Sequence, residues 1–268
     1  MTTNEDIKQA VRERYAEIVL QPANTSCCAP AASTEGSSCC GDDGCGPVDA
    51  SGSLASSYAH LPGYVPEADY GLGCGLPTEI AQIAPGQTVL DLGSGAGNDV
   101  FVARAIVGEA GRVIGVDMTE AMIAKARANA DKRGFANVEF RLGEIEALPV
   151  EADMVDVVVS NCVLNLVPDK RKAFAEVFRV LKPGGHFSIS DIVSEGDVPA
   201  DVRASLAAYA ACIGGAVDKS DYLGLIAEAG FVNARVAREH VAGSLNTPDG
   251  LAVRARLLSV TVYAEKPA

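Results

Sequence analysis

The chain has 268 residues, 48% apolar and 21% charged, the size and balance of one α/β domain with a small appendage rather than of a disordered protein. Its 22 basic and 35 acidic residues leave a net charge of −13, which argues against nucleic acid, whose phosphates need a basic surface. No apolar run approaches the roughly 18 residues of a membrane span. Charges fill the N-terminal MTTNEDIKQAVRERY where a signal peptide would carry its apolar centre, so a cytoplasmic protein without a membrane partner is expected. There, eight cysteines are expected as free thiols, which points to metal, metalloid or redox chemistry or to plain burial.

Residues 4 to about 19 predict a helix, with Thr3 or Asn4 as cap, Glu5 and Asp6 in the first turn, and Ile7, Val11, Tyr15 and Ile18 at helical spacing. Pro22 ends it. Residues 21–57 are rich in Ala, Ser, Gly, Asp and Cys and too poor in aliphatics to fold alone, so a mobile loop is expected. It carries Cys27, Cys28, Cys39, Cys40 and Cys45. From Thr88 strands and helices alternate: TVLDLG, a helix from Asp99 to about Val107, RVIGVD, a helix capped by Thr119 and running to Arg133, NVEFRLG, MVDVVVSN, a helix from Asp169 to Leu181, a KPGG turn, and HFSISDIV. This alternation predicts a doubly wound, mostly parallel α/β sheet. Residues 200–230 read as helical, and VNARVARE and LLSVTVYAE as an antiparallel pair at the sheet edge. The expected division is 1–57 (helix and Cys-rich loop), 58–195 (core) and 196–268 (helical segment and edge strands).

The run Asp91-Leu92-Gly93-Ser94-Gly95-Ala96-Gly97 ends the first strand and opens a helix, and Asp117 ends the second strand. Glycines admit a ligand close to the backbone, and an acid at Asp117 can accept from two ribose hydroxyls. The dinucleotide pattern G-x-G-x-x-G would need glycine where Asn98 stands. The tighter G-x-G-x-G resembles the first motif of class I S-adenosylmethionine-dependent methyltransferases. On that resemblance Gly143-Glu144-Ile145, after the third strand, face the adenine, and Asn161-Cys162, after the fourth, face the methionine moiety and its methyl group.

Three cysteines lie outside the low-complexity stretch. Cys162 follows the fourth strand, at the carboxyl edge where open α/β sheets bind ligands. Cys74 sits in GLGCGLP and Cys212 in AACIGG, both beside glycines. A single free cysteine is commonly just a small buried hydrophobe. Three from different segments, however, can supply the pyramid of soft thiolates that trivalent arsenic takes. The arsenic lone pair would then face the sulfonium methyl, and no general base is needed because that nucleophile has no proton to lose. His60, His186 and His240 stand in no obvious catalytic frame, and the C-x-x-C hooks of a zinc site do not occur.

The chain resembles arsenite S-adenosylmethionine methyltransferases along nearly its whole length. The signals are VRERY (11–15), GLGCGLPTEIA (71–81), DLGSGAGNDVFVAR (91–104), GVDMTEAMIAKAR (115–127), GEIEALP (143–149), SNCVLNL (160–166) and CIGGA (212–216). Many methyltransferases share the glycine motif and KPGG; the three cysteine-bearing segments are more selective. The N-P-P-Y of DNA and release-factor methyltransferases is replaced here by SNCV.

The resemblance implies that Cys162 and Cys212 bind trivalent arsenic, and that Cys74, with an N-terminal Cys45 or Cys40, is required for the first methylation. It assigns the cofactor to Asp91, Gly93, Ser94, Gly95 and Gly97, to Asp117 and Met118, and to Gly143, Glu144, Ile145 and Asn161. It also implies arsenite or methylarsenite thiol adducts as substrate, a cysteine pair emerging as a disulfide, and thioredoxin or glutathione as reductant for a monomeric enzyme of arsenic detoxification. The C-terminal domain of longer members is not expected in a chain of this length. The rival readings are a methyltransferase acting on a carbon or oxygen of a lipid or quinone, and a soft-metal binding protein on a disused methyltransferase scaffold.

Overall fold

The structure is a computed structural model that describes residues 3–20, 57–246 and 253–268. The Cys-rich stretch expected to be a mobile loop, with Cys40 and Cys45, lies outside the described residues except for Ser57.

Seven strands form one sheet: β1 (Thr88–Leu92), β2 (Arg112–Asp117), β3 (Val138–Leu142), β4 (Val155–Asn161), β5 (Leu181–Gly196), β6 (Val232–Asn246) and β7 (Val253–Glu265). Their spatial order is β3-β2-β1-β4-β5-β7-β6. The first five are parallel, and β7 runs antiparallel between β5 and β6. The expected parallel sheet with an antiparallel edge is therefore the observed one. The order reverses beside β1, where β2 lies on one side and β4 on the other, so their carboxyl ends diverge and leave a crevice.

Eight helices complete the described chain: α1 (Asn4–Leu20), α2 (Pro77–Ile80), α3 (Asn98–Val107), α4 (Glu120–Arg133), α5 (Lys170–Val180), α6 (Ala200–Ala204), α7 (Leu206–Ala210) and α8 (Lys219–Glu228). Local chemistry explains their ends. Thr3 and Asp6 cap α1 reciprocally: the Thr3 hydroxyl accepts the Asp6 N–H at 3.2 Å, and Asp6 accepts the Thr3 N–H at 2.7 Å. The Asp169 carboxylate accepts the Lys172 N–H at 3.0 Å at the start of α5. Thr119 stands at the N-cap of α4, as expected, but its side chain makes no cap bond; the Asp117 carboxylate takes the Thr119 N–H instead.

Two core layers cover the sheet. On one face Phe174, Val177 and Val180 of α5 and Tyr222 and Ile226 of α8 pack on Leu90, Val158 and Phe187. On the other, Val100, Phe101 and Val107 of α3 and Met122, Ile123 and Ala126 of α4 pack on Val89, Val113 and Val157. Central strands buried on both faces read as near-continuous apolar runs, which is why VLDL and VVVS carry so few polar residues. Each large side chain buried this way contributes about 1.5–3 kcal/mol.

Two features differ from the sequence reading. KPGG does not precede the fifth strand but bulges out of it. Pairing jumps from Val155↔Leu181 to Val157↔His186, and the intervening Gly184, at φ 76°, bonds to the Lys266 carbonyl. The helical stretch of residues 200–230 is broken into α6, α7 and α8, and the break after α7 carries Cys212.

Candidate active site

The carboxyl ends of β1, β2 and β4 and the inner side of α1 enclose a cleft of about 1150 Å³, its open mouth included. Asp91, Gly93, Ser94 and Gly95 form one wall, Asp117 and Met118 a second, Gly143, Glu144 and Ile145 a third, and Asn161 and Cys162 the floor. Every predicted cofactor residue except Gly97 thus lines one space. Gly97 begins α3 at φ 102°, and a Cβ there would stand 2.8 Å from the Phe101 ring, so its part is packing behind the cleft.

Asp117 is fixed by the backbone it faces. Its carboxylate accepts the N–H of Gly95 at 2.9 Å and of Thr119 at 2.8 Å, which joins the glycine loop to the end of β2. Burial pushes its pKa up against those two bonds. Burial likewise raises Asp91, and the neighbouring charges of Asp99 and Asp117 add to the rise. Asp99 is pushed up to about 6 by burial, opposed by hydrogen bonds from Tyr58 and Asn161. Three crowded carboxyls make the cleft a site for a cation.

Asp99, which the sequence reading took only as a helix start, was signalled as a site residue by nothing more than an acid in the first turn of the helix that the glycine loop opens. Its Oδ2 accepts the Tyr58 hydroxyl at 2.7 Å, and its Oδ1 is buried without a partner. Ser94 Oγ and Asn98 Oδ1, in the same cleft, are also buried and unpartnered within the described residues. Such orphaned atoms are costly unless a ligand satisfies them. S-adenosylmethionine, with its sulfonium, its α-ammonium and its ribose hydroxyls, meets both the charge and the missing donors.

Helix α1 closes one side of the cleft with Lys8, Val11 and Tyr15. Lys8 Nζ lies 2.7 Å from Glu144 and 2.5 Å from Glu146, Val11 packs with Leu166 and Tyr209, and the Tyr15 hydroxyl lies 3.8 Å from Cys212 Sγ. Its apolar stripe could be read from periodicity, but not the surface that the stripe covers.

The three cysteines gather at the floor. Cys74, Cys162 and Cys212 share one small apolar cluster with Ile192, Ala216 and Leu257. Cys162 lies beside Cys212 and Cys74 in this cluster, and the proximity of those thiols, then burial, pushes its pKa well up. Cys74 is pulled down by its contact with Cys162, but burial and the charges of Asp191 and Cys212 leave it raised. All three are free thiols. Among the described residues no three His, Cys, Asp or Glu side chains stand in a ready metal cage. Of the three, only Cys162 also lines the cleft.

The backbone explains why those thiols converge. Gly73 and Gly75 lie flat on their neighbours: a Cβ on Gly73 would stand 2.6 Å from Asn161 Nδ2, and one on Gly75 2.5 Å from Ser190 Oγ. Asn161 Oδ1 accepts the N–H of Cys74 at 3.0 Å and of Gly75 at 3.2 Å, and Ser259 Oγ donates to the Cys74 carbonyl at 2.6 Å. Cys162 and Cys212 both have left-handed backbones, with φ of 61° and 63°. That region is uncommon outside glycine, asparagine and aspartate, and such strain clusters at functional sites.

A cationic-ligand cleft at the switch point of this sheet defines a class I S-adenosylmethionine-dependent methyltransferase, and the family described as Methyltransferase domain matches residues 83–230. An arsenite methyltransferase of Halobacterium salinarum is 44% identical over 98% of this chain and 68% of its own length. The human arsenite methyltransferase is 38% identical over 62% of this chain and 46% of its own length. The crystal structure of an arsenic (III) S-adenosylmethionine methyltransferase from Chlamydomonas reinhardtii superposes with a TM-score of 0.68 at 36% identity, covering 81% of this chain and 74% of that one. The chain belongs to the arsenite methyltransferase family. It spans about two thirds of the haloarchaeal relative and less than half of the human one. Among the described residues no helix is long and apolar enough to cross a membrane.

Proposed function

We propose that this chain methylates trivalent arsenic held by Cys74, Cys162 and Cys212, using S-adenosylmethionine bound by the residues of the cleft. The observation that carries the reading is the double membership of Cys162, which lines the cleft and shares one small apolar cluster with both other thiols. A substrate atom bound to that sulfur stands at the junction of the two sites.

The raised pKa of Cys162 and Cys74 suits capture of arsenite rather than opposing it. Each arsenic hydroxide leaves as water with a thiol proton as an As–S bond forms, so a protonated thiol is the balanced reactant. The apolar surround of Ile192, Ala216 and Leu257 excludes water and leaves the arsenic lone pair as the nucleophile. When bound, S-adenosylmethionine supplies an electrophilic methyl group on a sulfonium. The chain contributes orientation: Asp117, Asp99 and the glycine loop hold one partner and the thiols the other, which makes the step effectively unimolecular. In this reading a cysteine pair reduces the methylated arsenic and becomes a disulfide, thioredoxin or glutathione restores the thiols, and Cys40 or Cys45 joins the cycle in arsenic detoxification.

The test is incubation with arsenite, S-adenosylmethionine and a thiol reductant, with the arsenic products separated by chromatography. Methylated arsenic from the parent chain and none from Cys162→Ser is the expected result. A Cys162→Ser variant that methylates arsenite near the parent rate overturns the ligand assignment.

A further inference from the structure

Cys212 occupies an unfavourable backbone conformation in a loop between two short helices, and something must hold it there. Asn165 lies in the single turn that follows Cys162 and is 1% exposed. Its Nδ2 donates to the Cys212 carbonyl at 2.7 Å. The amide orientation is unambiguous, because a carbonyl facing it can only accept. Asn165 is itself braced: its own carbonyl receives Lys170 Nζ at 3.3 Å, and Gly215 lies so close to that carbonyl that a Cβ would collide with it. Among the described residues its Oδ1 is buried with no partner, so the amide bonds through its donor side. On its other side, the Cys212 thiol reaches the Cys162 carbonyl at 3.5 Å.

We infer that Asn165 is a positioning residue that seats Cys212 against Cys162, as Asn161 does for Cys74. The segment Asn161-Cys162-Val163-Leu164-Asn165 then organises the whole thiol site. It presents the middle sulfur and, through two amides on either side of it, grips the backbones that bring the other two. Without the Asn165 donor, the part-buried Cys212 carbonyl loses this partner. The loop then relaxes from its left-handed turn and withdraws the thiol. The inference rests on the three-thiol reading proposed above.

The test uses the full chain carrying Cys27→Ser, Cys28→Ser, Cys39→Ser, Cys40→Ser and Cys45→Ser, so that only the three site thiols remain. Arsenite is the probe, with its dissociation constant measured alongside the arsenic–sulfur coordination number by X-ray absorption. Asn165→Ala is expected to weaken arsenite about tenfold, the size of one lost buried hydrogen bond. It also lowers the sulfur count from three towards two and leaves S-adenosylmethionine affinity within about twofold. In a Cys212→Ser background Asn165→Ala adds no further loss, because the amide acts through Cys212. Asn165→Asp keeps the volume but sets an acceptor against the carbonyl; it reproduces the loss and carries the test if the alanine variant does not fold. Full arsenite affinity in both Asn165 variants overturns the inference and leaves the thiol site standing, as does an equal loss with and without Cys212. A Cys212→Ser chain that keeps the parent affinity and the parent's sulfur count overturns both.

Discussion

The side-chain oxygen of Asn161 accepts the backbone N–H of Cys74 at 3.0 Å, so the residue before the cleft-lining cysteine also anchors the loop of another. Its amide nitrogen donates to the Gly75 carbonyl at 2.8 Å and to the Tyr58 hydroxyl, which in turn bonds to Asp99. The family resemblance assigned Asn161 to the cofactor. In the fold it also joins the cofactor cleft to the thiol floor.

Asn161→Ala is therefore expected to impair both partners. It removes the acceptor that two backbone N–H groups share, a loss of about 1–3 kcal/mol, and arsenite methylation should fall by about 5- to 150-fold. Steady-state kinetics against arsenite and S-adenosylmethionine check this. A rise in the apparent constant for only one of the two substrates counts against the bridging role.

Asp117→Ala breaks the tie between β2 and the glycine loop and removes an acceptor facing the cleft. Cofactor affinity is expected to fall more than tenfold, measured by calorimetric titration with S-adenosylmethionine. Unchanged affinity would remove Asp117 from the site.

Asp99 yields a pH prediction. Its folded pKa, about 6, lies above the ordinary 3.8 because burial disfavours the charged carboxylate. A raised carboxyl contributes stability that is present below 3.8 and is lost as pH rises through about 6. A bound cation favours the ionised form, so S-adenosylmethionine affinity should weaken as pH falls below about 6. Asp99→Asn should flatten that dependence and lower affinity at pH 8. An identical pH profile in the variant would sink the assignment.

Lys8→Met should loosen α1 from the cleft. Lys8 sits between Glu144 and Glu146, and its side chain and that of Glu146 are only 14% and 8% exposed. Removing the cation leaves the nearly buried Glu146 carboxylate with the Asp169 N–H, at 3.2 Å, in place of a counter-ion, so the variant is expected to lose on the order of 1–3 kcal/mol of stability. Chemical denaturation checks the loss, and a change below about 0.5 kcal/mol would place the pair among inconsequential surface ion pairs.

Much was legible in the order of residues alone. The alternation of VLDLG, RVIGVD and VVVSN with amphipathic stretches predicts the parallel sheet, because buried strands and half-buried helices need different apolar periods. The glycine loop and Asp117 are readable because they lie next to strand ends, and a strand end fixes where such residues face. Tertiary structure alone decided what depends on distant segments meeting. Cys74, Cys162 and Cys212 are separated by 88 and 50 positions, and only the sheet order and the grip of Asn161 and Asn165 bring them together. Neither that grip, nor the left-handed backbone of two cysteines, nor the seat of α1 across the cleft leaves a periodic trace. Each arises from a contact between residues remote in the chain, and linear pattern carries no information on such contacts.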